Sequence, residues 1–410
     1  MKKFFYKYKL ELVYTTIFLI SILFRIFFIN IKSDDYLLFL NNWWNKINEY
    51  GGFNSLKYAI GDYPDSYMFL LCIGVSITKN SLIFIKVLST IFDILIFLFG
   101  YKIIKYFSKE DANKYSWILI LLPGILVNSA ILSQCDSIYT AFVLAFIYYI
   151  LKNHNKLALS FLGIAISFKL QSLFIAPVIL YLIATKKIKI YDLFFIILGF
   201  LLPFIPSILI GKGLIENIKI LMFQTSEYNY FVKSCPNIYS LFLLNYKQIN
   251  IFLKYSLAII VGIIAIFISL HKYKDGYNDT TFIHKSFLIS TIVVFLLPSM
   301  HDRYFYLANI LGIIYYIVTS RQYLKGYCIL STLVYVLPVL SINFMPQDLK
   351  IKSDYMITSL VCSTLNLFLI LDLILNKHFL LSKKSWNNCK TLPIIIEQKW
   401  LCHSTTSYFL

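Results

Sequence analysis

Apolar runs separated by short, lysine-rich polar links fill most of the chain. A helix needs about 20 mostly apolar residues to cross a bilayer. Runs at 11–31, 82–104, 115–131, 136–151, 156–170, 171–185, 190–210, 251–270, 283–299, 303–320, 326–342 and 357–376 are therefore the predicted spans. The pattern predicts an all-α fold: a polytopic transmembrane helical bundle of about twelve spans. Runs 156–170 and 171–185 are expected to form a tight hairpin around Lys169.

The apolar run 66–78 is short for a crossing and follows Pro64. It is predicted to dip into the membrane and return, or to lie on its surface. Both termini are then cytoplasmic. Under that topology the inside loops and tails carry 22 of the 38 Lys and Arg residues, as the positive-inside tendency requires. Residues 1–376 are read as one membrane-embedded domain and 377–410 as a polar cytoplasmic tail.

Residues 32–65 form the first outside loop. Within it Tyr36, Leu40, Trp43, Ile47 and Tyr50 share one helical face. The paired Trp43 and Trp44 suit a helix lying in the membrane interface, and Gly51 and Gly52 end it.

Composition agrees with the pattern. The chain is 59% hydrophobic and 14% charged, with mean hydropathy +0.72, where a soluble domain carries roughly 25% charged residues. The net charge of +18 fits lysines flanking spans, and no nucleic-acid-binding motif accompanies it. The seven cysteines form no CxxC pair, so neither a zinc site nor a disulfide framework is expected.

Four polar clusters stand out at the predicted outer ends of spans, where a charge near the bilayer needs a reason. Ser33-Asp34-Asp35-Tyr36 has two readings. One is simple helix capping. The other is a carboxylate kept ionised at a helix N-terminus and able to take a proton from an attacking hydroxyl. Gln134-Cys135-Asp136-Ser137 is either a tight turn or a hydrogen-bonding ledge for a hydroxyl-rich ligand. Lys169, in Phe168-Lys169-Leu170-Gln171, either snorkels or binds an anion. His301-Asp302-Arg303 is either a self-neutralised loop or a phosphate clamp built on the guanidinium, with His301 adding a hydrogen bond or proton handling. Lys86 and Asp93 share a face of one span and are expected inside the bundle; Arg25 is expected to reach the outer interface.

At these clusters the sequence resembles a known family. SDDYLLFLNNWWNKINEYGGF, DYPDSY, SQCDSIYTAF, SFKLQSLFIAP and LPSMHDRYFYLA are similar, in that order, to elements of the GT-C membrane glycosyltransferases. The nearest branch is the one related to the GPI second-mannose mannosyltransferase. The resemblance covers about residues 10–320. It departs from the family where Ser133 replaces a bulkier residue and Asp65 follows Pro64.

The resemblance implies an inverting transfer of a mannose-like hexose from a polyprenyl-phosphate sugar to a lipid-linked or surface glycan. It places the catalytic carboxylate at Asp35, with Asp34 as the fallback, and matches Tyr63, Lys169, Gln171, His301, Asp302 and Arg303 to family elements. Asp35 would deprotonate the acceptor. Arg303, Lys169 and His301 would hold phosphate, and Gln134, Asp136 and Gln171 would orient sugar or acceptor. No metal ligands and no cofactor are expected; the partners are donor, acceptor and bilayer. The rival reading is a transporter or flippase for a polyprenyl-linked glycan, although the internal repeat common in transporters is not visible. A glycan polymerase or ligase would share much of the transferase chemistry.

Overall fold

The computed structural model describes residues 2–226, 229–319 and 352–375. The predicted span 326–342 and the tail 377–410 lie outside them. The described chain is mostly helical, as long apolar stretches require when every backbone group must be satisfied within its own segment.

Four helical stretches among the described residues are long and apolar enough to cross a membrane: Ser81–Phe107, Ile190–Leu209, Ile251–Asp275 and Asp279–Leu296. A fifth candidate is broken. Lys109–Leu119 and Pro123–Ile131 meet at 46°, because Pro123 starts a new helix where its ring would block continuation of the old one.

Other predicted runs form shorter or interrupted helices. Run 136–151 is the helix Asp136–Leu151, and run 156–170 the helix Asn155–Phe168. Run 171–185 is a 3-10 turn, Leu170–Ile175, followed after Pro177 by the helix Val178–Ala184. Run 303–320 starts late, as Tyr306–Thr319 after a 3-10 turn over Asp302–Phe305. Exposed apolar side chains cluster on the long helices, among them Phe194, Ile197 and Leu202 on one, and Phe252, Ile259, Ile263 and Phe267 on another.

The helices Asn155–Phe168 and Phe194–Leu201 touch backbone to backbone. A side chain at Gly163 would meet the Ile196 carbonyl at 2.1 Å, and one at Gly199 the Ser160 carbonyl at 2.0 Å. Small residues at such crossings allow close packing where no hydrophobic drive separates helix from lipid.

A helix is present where the amphipathic pattern predicts one. Tyr36–Leu40 forms a π-helical turn that runs into the helix Asn41–Glu49. Tyr36, Leu40, Trp43 and Ile47 are buried as the pattern requires. Trp44 joins them, while Tyr50 is exposed. The short helix Asp65–Ile77 is about 20 Å long, too short to cross a 30 Å hydrocarbon layer. Its start is tied to the Ser167 carbonyl by Ser66, and the next helix begins at Ser81, which meets Tyr36.

The interior charges pair off. Arg25 does not reach the interface; it is buried and bonds Asp93 at 2.8 Å, so the helix Lys2–Phe27 docks by a charge pair. Lys86 donates to the Phe28 and Ile31 carbonyls at 2.7 and 2.6 Å, closing the frayed end of that helix. Satisfying terminal carbonyls with a lysine is a stable use of a buried ammonium. The described cysteines, Cys72, Cys135, Cys235 and Cys362, are buried free thiols.

Candidate active site

A cavity of about 810 Å³ opens at one end of the bundle. It is bounded by the π-helical turn Tyr36–Leu40 and the helix Asn41–Glu49, the start of the Asp136–Leu151 helix, the end of the Asn155–Phe168 helix and the turn before Tyr306–Thr319. Asp34, Asp35, Tyr63, Gln134, Lys169, Gln171, His301, Asp302 and Arg303 all line it. Asp136 sits just behind the wall, buried and in contact with Lys169 and Arg303. Segments spread over most of the chain therefore meet at one place.

Asp35 and Ser33 divide the two readings of their cluster between them. The Ser33 hydroxyl accepts from the Tyr36 amide at 3.2 Å and donates to the Leu132 carbonyl at 2.8 Å; it is the cap. Asp35 makes no capping bond. Its carboxylate is about one-third exposed to the cavity, 3.2 Å from Arg303 Nη1 and 2.5 Å from Gln134 Nε2. The π-helical turn begins one residue later. Such turns re-aim side chains and concentrate at functional sites.

The Gln134 ledge is held equally firmly. A second π-helical turn, Val127–Ile131, precedes it. Ser133 adopts φ 57°, a conformation that costs a non-glycine residue energy and survives only where its surroundings fix it. The Ser89 hydroxyl donates to the Gln134 carbonyl at 2.8 Å.

Lys169 has no acid near it in sequence, yet Asp136 Oδ1 lies 2.5 Å from its Nζ, with both side chains buried. Asn128 Nδ2 donates to the other Asp136 oxygen at 3.0 Å, and Arg303 Nε lies 3.7 Å from it. Arg303 Nη1 also lies 3.9 Å from Asp302. Two cations thus share three carboxylates, Asp35, Asp136 and Asp302, and this end of the cavity is not electropositive.

Tyr63 packs against Trp43 at a tilt of 48° with ring centroids 5.1 Å apart, under the Lys169 ammonium at 5.6 Å. Burial pushes its phenol well above the usual range, so it stays neutral. The Gln171 side chain is buried beside Tyr304, and its Oε1 accepts no hydrogen bond from the protein.

His301 and Asp302 touch at 3.3 Å. Burial lowers the His301 pKa, outweighing the neighbouring carboxylate that raises it. Burial works against the Asp302 charge, but His301 and Arg303 hold its pKa below the usual carboxylate value. Among the described residues no group of three or more His, Cys, Asp or Glu side chains is arranged to hold a metal ion.

Sequence patterns missed one wall. Val232–Lys233 pairs in parallel with Met300–His301, bringing Lys233, Ser234 and Tyr246 to the cavity beside Lys254, Tyr255 and Tyr304. A two-residue strand leaves no periodic signal. Lys254, a lone lysine one turn into an apolar run, carried the same signal as Lys169. The lining also includes apolar residues: Ala258, Val261, Gly262 and Ala265 on the helix Ile251–Leu270, and Leu173, Phe174, Pro177, Val293 and Leu297 from other segments.

Compared with known proteins, the chain matches no family model and no curated relative.

Proposed function

We propose that this protein is a GT-C-like membrane hexosyltransferase of about twelve spans. It moves a mannose-like sugar from a polyprenyl-phosphate donor to a lipid-linked or surface glycan acceptor, with inversion, on the extracytoplasmic face. Both termini lie in the cytoplasm, where the basic links 152–156 and 186–189 face the opposite end of the bundle from Asp35.

One observation carries the reading. Asp35 is a partly exposed carboxylate, fixed by Gln134 and Arg303, in a cavity lined by polar and by apolar side chains. A cavity that offers both polar and apolar lining fits a sugar joined through phosphate to a long hydrocarbon.

In the reaction Asp35 accepts the proton of the acceptor hydroxyl. That oxygen forms a bond to the anomeric carbon as the carbon–oxygen bond to phosphate breaks on the opposite face. The bond pair leaves with the polyprenyl phosphate. A positioned base of this kind contributes roughly 10²–10⁴-fold. Arg303 and Gln134 orient the carboxylate, Gln171 offers an acceptor to sugar hydroxyls, and Tyr63 with Trp43 forms an aromatic wall beside the sugar.

The test uses purified protein in liposomes, with labelled polyprenyl-phosphate sugars and candidate acceptors. Transfer that disappears in Asp35→Asn, at unchanged expression and melting temperature, supports the transferase. Absence of transfer, together with movement of a polyprenyl-linked glycan across the bilayer that survives Asp35→Asn, favours the flippase.

A further inference from the structure

Asp35 is aimed by two donors that meet the same oxygen. Gln134 Nε2 and Arg303 Nη1 both lie against Oδ2, at 2.5 and 3.2 Å. They come from distant segments, so each needs its own support. Both supports lead to one residue, Asn128.

Asn128 belongs to the π-helical turn Val127–Ile131 and is buried. Its carbonyl accepts from the backbone amide of Gln134 at 2.9 Å. That bond spans Ser133 with its φ of 57° and fixes the point from which the Gln134 side chain departs. The Asn128 side chain works on the other donor. Its Nδ2 donates to Asp136 Oδ2 at 3.0 Å, and Arg303 Nε lies 3.7 Å from that same oxygen. Lys169 takes the second Asp136 oxygen, so the carboxylate is held at both. Arg303 Nη1 is shared by Asp35 and Asp302, which leaves Asp136 as the anion at Nε. A fixed carboxylate thus sets the guanidinium that reaches the base.

Neither Asn128 nor Asp136 lines the cavity. Buried partners of this kind lock the groups that do meet a substrate.

Resting on the transferase reading, we infer that Asn128 is a positioning residue for the base: its carbonyl sets Gln134, and its side chain, through Asp136, sets Arg303. An amide suits the place because it donates to a carboxylate without bringing a charge that would compete with Arg303.

The test is the initial rate of transfer in liposomes over a donor concentration series, per mole of folded protein. Asn128→Ala keeps the carbonyl and loses the donor. It is expected to lower kcat about tenfold to 10²-fold, the cost of a reacting group misplaced by about 1 Å, with the donor KM changed less than about twofold. Asn128→Asp keeps the shape but sets a second carboxylate against Asp136, and is expected to lose more than Asn128→Ala. In an Arg303→Lys background, where the fork is already lost, Asn128→Ala is expected to lower kcat by less than about threefold more.

Wild-type kcat in Asn128→Ala, alongside loss of transfer in Asp35→Asn, overturns the inference and leaves the transferase reading standing. So does a milder loss in Asn128→Asp than in Asn128→Ala, the order that space-filling alone would give, or an undiminished effect in the Arg303→Lys background. Absence of transfer by the wild-type protein overturns both readings.

Discussion

Asp35 and Arg303, from opposite ends of the described membrane domain, lie 3.2 Å apart. The contact joins the first polar loop to the turn that follows the helix Asp279–Leu296. It sets the direction of the Asp35 carboxylate together with Gln134. Asp35→Asn removes the base and is expected to lower transfer about 10²–10⁴-fold with little change in stability. Arg303→Lys keeps a charge but loses the fork that reaches Asp35 and Asp136 together. It is expected to lower kcat more than it raises KM. Initial rates over a donor concentration series check both, and wild-type turnover in Asp35→Asn would end the assignment.

The Lys169–Asp136 pair is buried on both sides. Removing one partner of such a pair strands the other charge and costs about 3–5 kcal/mol. Asp136→Ala is expected to destabilise the protein by that amount. The double change Asp136→Asn with Lys169→Met is expected to be milder, because no charge is stranded. Thermal unfolding in detergent reads the difference. Equal damage from both would show that the pair acts through something other than charge.

Gly262 lines the cavity, and a Cβ added there would meet nothing within 4 Å. Gly262→Trp is therefore expected to fold while filling part of the cavity. It should raise KM about tenfold for a long-chain polyprenyl-phosphate sugar, since a lost pocket of this size is worth 1–3 kcal/mol. A short-chain donor should be spared. Equal effects on the two donors would place the hydrocarbon elsewhere.

His301 gives a pH signature. Burial lowers its folded pKa below the unfolded value near 6.5. As pH falls through 6.5 the unfolded chain takes up the proton first, so stability drops between there and the folded pKa. The Asp302 carboxylate, whose pKa is lowered in the fold, contributes stability that is lost only at more acid pH. Between pH 7.5 and 5, His301→Asn is therefore expected to show a flatter melting-temperature profile than wild type. Parallel profiles would refute the assignment to His301.

Topology is open to labelling. Phe53, Leu243 and Tyr191 are exposed. The described cysteines are buried and give little background. Phe53→Cys and Leu243→Cys are expected to react with an impermeant reagent on intact cells, and Tyr191→Cys only after permeabilisation. Labelling of residues 53 and 243 from opposite sides would dismantle the shared site.

Much was legible in the residues themselves. Membrane-length apolar runs fixed the helical class, because lipid offers no partner for a free backbone group. The face formed by Tyr36, Leu40, Trp43 and Ile47 announced the helix after Asp35 and its buried side, because packing follows helical period. Each polar cluster could be picked out as an isolated charge in apolar surroundings.

What each charge does depends on neighbours that sequence cannot supply. Lys169 meets Asp136, Arg25 meets Asp93 and Arg303 meets Asp35 only because helices pack side by side. An ionic pair has no preferred sequence separation, so it leaves no period to read. The breaks at Pro123 and Pro177, the π-helical turns beside Asp35 and Ser133, and the strand contact that brings in Lys233 are settled by the same packing. Composition and pattern determined that this chain is helical and made for a bilayer. Tertiary contacts decided which of its rare charges hold the fold and which face the cavity.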